Sequence, residues 1–71
     1  MYTVTIENLT DDTVIEYTGT LKEMTQLFTT EQESFKREGW NCVYSEDVNE
    51  CTNTMCQWQY TDGETVIISL A

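Results

Sequence analysis

The chain reads as an α+β domain in the order ββαβββ, with one helix packed on one face of an antiparallel sheet. Three observations predict it. Four stretches alternate apolar and polar residues at the two-residue period of a half-buried strand, and a fifth is rich in β-formers. Between the second and third of these lies a helical stripe with start and stop signals. Asp62-Gly63 adds the strongest hairpin dipeptide in the sequence. At 71 residues, a single domain over 1–71 is expected.

Residues 2–7 set Tyr2, Val4 and Ile6 against Thr3, Thr5 and Glu7, a strand with one polar face. Asn8 to Asp12 is turn chemistry, because Asn and Asp bond their own backbone and tolerate unusual dihedrals. Residues 13–18 alternate again with Ile15 and Tyr17 on one face, which makes a β-hairpin. Thr20 and Glu23 then form a capping box, each side chain satisfying the other's free backbone N–H. Leu21, Met24, Leu27, Phe28 and Phe35 lie on one helical stripe, and Gly39 is the left-handed stop. Thr29-Thr30-Glu31-Gln32 is polar where that stripe should continue, and Thr30 with Glu33 offers a second capping box. One helix over 21–38 and a helix broken near Thr30 both fit.

Residues 40–45 form a third strand through Trp40, Val43 and Tyr44, followed by a polar acidic loop over 46–53. Residues 54–60 alternate, with Cys56, Trp58 and Tyr60 on one face and Met55, Gln57 and Gln59 on the other. Asp62-Gly63 predicts a type I′ turn with positive φ at both central positions. A side chain at Gly63 then costs roughly 1 kcal/mol or more. Residues 65–70 close the sheet with Val66, Ile68 and Leu70 inward. Tyr17, Phe35, Trp58 and Tyr60 are expected to fill the core. Proline is absent, so carboxylates are left to protect the strand edges.

Thirteen carboxylates face three basic residues, Lys22, Lys36 and Arg37, for a net charge of −10. Such a charge favours solubility but raises self-repulsion in the folded state. A core of this size supplies on the order of 3–5 kcal/mol, so the field implies either a use or a habitat that tolerates it. Eight aromatics and 39% hydrophobic residues suit a compact core and not a disordered acidic tail. Nucleic acid and anionic membrane are bound through Lys and Arg, so neither is an expected partner. The expected partner is the basic surface of another protein, and the most basic surfaces in a cell bind nucleic acid. No run approaches the ~18 apolar residues of a membrane span. The first residues lack a basic stretch followed by an apolar one, so no secretory leader is expected. The expected location is the cytoplasm, where the Asn8-Leu9-Thr10 sequon is idle.

Enzyme chemistry finds little to stand on. The chain has no histidine, no glycine-rich phosphate loop and no nucleophile elbow, so neither an enzyme nor a cofactor is expected. Cys42, Cys51 and Cys56 give one Cys-x₄-Cys pair without a fourth soft ligand, which argues against zinc. Cys42 and Cys56 are read as small buried apolar residues, with Cys51 in the loop and all three replaceable by Ser or Ala. Asp47-x-Asn49 imitates the start of a calcium loop, but its glycine and terminal glutamate positions fall on Thr52 and Trp58. No metal is expected.

Seven carboxylates, Asp11, Asp12, Glu46, Asp47, Glu50, Asp62 and Glu64, occupy hairpin tips and the long loop in segments free of Lys and Arg. The helix carries all three basic residues, which dilute its own carboxylates. Unrelieved negative potential is therefore expected on loop ends and the outer sheet, whether the two tips lie at the same end or at opposite ends. Trp40 and Tyr44 would add an interaction anchor if their shared face turns outward, since Trp and Tyr dominate interface hot spots. A solvated exterior suited to salty surroundings is the plain reading of the acidity, and imitation of a phosphate backbone is the sharp one.

In size, charge and architecture the whole chain resembles the small acidic proteins that phages make against host machinery, among them DNA mimics that block restriction enzymes, CRISPR nucleases or nucleoid proteins. No single motif carries the resemblance, and it transfers no residue. It implies a non-enzymatic inhibitor or modulator that occludes a nucleic-acid-binding surface of a host protein by carboxylate mimicry. The alternatives are an adaptor using an aromatic patch and a small assembly component whose strand edge pairs with a neighbour.

Overall fold

The computed structural model describes residues 1–45 and 54–71. Its elements run β1 (Tyr2–Asn8), β2 (Thr13–Gly19), α1 (Leu21–Arg37), β3 (Asn41–Ser45), β4 (Thr54–Gln59) and β5 (Thr65–Leu70). The five strands form one sheet in the order β2-β1-β5-β4-β3, every neighbouring pair antiparallel. This is the expected α+β order, ββαβββ. The first and last strands meet in the middle, and α1 crosses the sheet from the β2 edge to the β3 edge.

Register sorts the side chains. Val4 of β1 lies opposite Tyr17 and Leu70, Ile6 opposite Ile15 and Ile68, and Trp58 of β4 opposite Val66. That face lies under the helix. Met24 and Phe28 of α1 pack on Val4, Cys56, Trp58, Val66, Ile68 and Leu70, with Tyr2, Ile6, Leu27, Phe35 and Trp40 at the margin of the core. Burial of each large apolar side chain stabilises by about 1.5–3 kcal/mol, so these few residues supply most of the driving force.

The helix is continuous through Thr30. Phe28 and Phe35 are seven residues apart and so lie on one face two turns apart. The polar turn between them needs only to stay helical, with Glu31 and Gln32 half-buried and Thr29 and Thr30 exposed. Its start is the expected capping box: Glu23 N–H donates to Thr20 Oγ1 at 3.2 Å, and Thr20 N–H donates to Glu23 Oε1 at 3.0 Å. Its end is a Schellman motif, in which Gly39 N–H donates to Lys36 O at 3.2 Å and Trp40 N–H to Phe35 O at 3.0 Å. Gly39 takes φ 95°, the left-handed value the motif requires.

Four expectations change. Tyr17 and Tyr60 do not fill the core, with 42% and 37% of their surface exposed. Tyr17 stands on an edge strand at the margin of the helix, and Tyr60 falls just beyond the end of β4. Cys42 is exposed while Cys56 is buried, because β3 is the other edge strand. The turn at Asp62-Gly63 is not type I′. Gly63 has φ 93°, but Asp12 is the one non-glycine residue with positive φ among the described residues. Gly63 N–H donates to Tyr60 O at 3.0 Å and Tyr60 N–H to Glu64 O at 2.9 Å, the pattern of a type I turn closed by a left-handed glycine.

Candidate functional site

The β1–β2 and β4–β5 hairpins end side by side. Pairing of β1 with β5 brings Asn8 opposite Val66, and Leu9 N–H donates to Thr65 O at 2.9 Å. Thr65 N–H in turn donates to Thr10 Oγ1 at 3.1 Å. The order of elements had left the relative placement of the tips open. They form one end of the molecule.

Asn8 organises that end. Its Oδ1 accepts from Thr10 N–H at 2.9 Å and Asp11 N–H at 3.0 Å, folding the first tip back on itself. Its Nδ2 donates across to Glu64 Oε1 at 2.8 Å and, at 3.5 Å, to Asp11 Oδ2. Asp12 turns the chain into β2 with φ 57°, which Asp tolerates better than most residues. In the second tip Asp62 Oδ1 accepts from Glu64 N–H at 2.9 Å. Asp11, Asp12 and Asp62 are exposed and Glu64 is half-buried. Four of the seven singled-out carboxylates thus share this end, and three of them, Asp11, Asp62 and Glu64, accept hydrogen bonds from uncharged donors within it. Lys22, Lys36 and Arg37 all belong to the helix. Glu46, Asp47 and Glu50 lie outside the described residues, as do Cys51 and the calcium-like start Asp47-x-Asn49.

Trp40 and Tyr44 do not share a face. Cys42 lies opposite Trp58, but Tyr44 lies opposite Gln57, so β3 bulges at Val43 and the alternation slips by one residue. Trp40 goes to the helix side as the residue after the Schellman glycine. Its ring meets Phe35 edge-on at 5.0 Å and Tyr60 at 5.1 Å, while Phe35 stacks on Trp58 at 6.3 Å. Tyr44 goes to the outer face, 49% exposed. The aromatic anchor therefore loses its larger member to the core margin.

The outer face of the sheet carries Thr3, Thr5, Thr18, Gln57 and Ser69 around Val14, Met55 and Ile67, with Glu7 and Glu16 as its charges among the described residues. An open groove of about 510 Å³ at the helix start is lined by Met1, Tyr2, Gly19, Thr20, Leu21 and Glu23. Its charged side chain, Glu23, is already engaged in the capping box, whose bonds hold its carboxyl below the ordinary 4.5. Buried Cys56 accepts from Trp58 Nε1–H at 3.1 Å, and burial pushes its thiol up to about 11. Among the described residues no group of three or more Cys, Asp or Glu side chains is placed to hold a metal ion, and no helix is long and apolar enough to cross a membrane.

Sequence reasoning treated Asn8 as a turn former and missed that it ties the tips together. The donor and its acceptor Glu64 are 56 residues apart, so the signal exists only once β1 and β5 are paired. No protein-family model, curated protein or solved structure matches the chain.

Proposed function

We propose that the protein works without catalysis, as an acidic binding protein of the phage-inhibitor type that occupies a basic, nucleic-acid-binding surface of a host protein. The observation that carries this reading is the convergence of the two acidic hairpin tips. Asp11, Asp12, Asp62 and Glu64 share one end of the sheet, with Asn8 holding Asp11 and Glu64 in fixed relation. Asp11, Asp62 and Glu64 each accept a hydrogen bond within the tips, so they have less side-chain entropy to lose on binding than unbonded carboxylates would. Presented to a groove lined by Lys and Arg, they take the place of phosphates, speed association by long-range attraction and exclude nucleic acid by occupancy.

The test is capture of proteins from a host lysate on the immobilised chain, at low and at high salt, followed by challenge with duplex DNA. A partner retained at low salt, released at high salt and displaced by DNA supports the reading, because charge-driven contacts weaken as screening shortens their range. A partner indifferent to both salt and DNA contradicts it and points to an apolar contact instead.

A further inference from the structure

The two edges of the sheet are finished differently. β3 has five residues and a bulge at Val43, an irregularity that blunts an edge against pairing. β2 has seven residues in unbroken register with β1, and residues 13–18 are all exposed. It contains no proline and no lysine, and Glu16 is its one charged guard. Alternate residues of an antiparallel strand turn their N–H and C=O to the same side, so about half of β2's backbone groups point away from β1. No strand lies beside them among the described residues.

The side chains on this edge define what would fit. Ile15 and Tyr17 stand on the helix side, 51% and 42% exposed, while Val14 and Glu16 stand on the outer side. Glu7 lies opposite Val14, and Asp11 and Asp12 close one end of the hairpin. Every charged side chain in residues 1–19 is acidic.

We propose that β2 is a docking edge for an extended segment of a basic partner, which adds as a further strand and alternates apolar residues with Lys or Arg. Its apolar side chains cover Ile15 and Tyr17, and its basic ones meet Glu16 and Glu7 on the outer face. Charge decides against a second copy of this chain as the occupant. A two-fold pairing along β2 sets the two Glu16 side chains near each other and joins two chains of net charge −10. This inference goes beyond the tip reading, since it assigns a different surface and depends on backbone hydrogen bonds.

The test uses a short synthetic peptide of alternating Lys and Val, and the same peptide N-methylated at alternate residues so that charge is kept and strand pairing is blocked. Amide hydrogen exchange on the whole chain should show slowed exchange along 13–19 with the unmethylated peptide. N-methylation should weaken binding on the order of tenfold or more, as loss of several backbone hydrogen bonds requires. Ile15→Lys with Tyr17→Lys, both at exposed positions, should abolish the protection while leaving the melting temperature near that of the parent. Equal binding of both peptides overturns the proposal, as does absence of binding at low salt. Protection at β3 instead, or a self-associated chain with protected β2 amides, also overturns it. A chain carrying Asp62→Asn and Glu64→Gln, in the other hairpin, should keep the β2 protection, so failure of the tip reading and failure of this one are told apart.

Discussion

Gly63 and the two described cysteines carry the residue-scale chemistry that experiment reaches most easily. A Cβ at Gly63 would meet nothing within 4 Å, yet φ is +93°. The cost of Gly63→Ala is therefore backbone strain alone, and urea denaturation should find a loss of about 1 kcal/mol. A protein as stable as the parent would mean that this glycine is not left-handed. Burial raises the Cys56 thiol from its ordinary 9.0 to about 11, whereas Cys42 is exposed. In a Cys51→Ser background, Cys42 should be alkylated in the native protein at neutral pH and Cys56 only on unfolding. Because the folded pKa lies above the unfolded one, this contribution to stability is complete below pH 9 and lost as pH rises through about 11. Rapid native labelling of Cys56 would contradict its placement. The Asp62-Gly63 signal located the turn correctly and mistook its type, since type I′ and a type I turn closed by glycine both place Gly in a left-handed conformation.

At the scale of elements the helix and the third strand teach most. Glu23 has its carboxyl held below 4.5 first by the Thr20 backbone N–H and then by the Thr20 side chain. The stability this lends is present above pH 4.5 and disappears as pH falls through the lower folded value. Glu23→Gln keeps an acceptor but no charge, so its melting temperature should lie below the parent's at neutral pH and converge with it in acid. A gap that widens in acid would contradict the capping box. Helix start, stop and strand periods were legible because each is written within a few residues. The inward turn of Trp40 was also legible in principle: Gly39 as the left-handed residue places Trp40 against Phe35. The bulge at Val43 was not, because nothing local distinguishes Asn41-Cys42-Val43-Tyr44 from a regular strand. It separates Trp40 from Tyr44 and blunts one sheet edge, while β2 stays open.

Over the whole molecule, net charge was legible from composition but its arrangement was not. Whether Asp11 and Asp12 lie near Asp62 and Glu64 depends on β1 pairing with β5 at the centre of the sheet, a contact between the two ends of the sequence. Once that pairing forms, a uniform excess of carboxylates becomes a polar end with a bonded acidic array, on a chain whose basic residues are confined to the helix. A merely solvating charge would act through its total, and a binding array through its position. The most direct measurement therefore compares two variants of equal charge against the partner captured from lysate. One carries Asp11→Asn, Asp12→Asn and Asp62→Asn; the other carries Glu23→Gln, Glu31→Gln and Glu33→Gln on the helix. Affinity should fall by about tenfold or more and lose much of its salt dependence in the tip variant, while the helix variant stays close to the parent. Equal losses in the two variants, or a greater loss from the helix, would contradict a binding end at the hairpin tips.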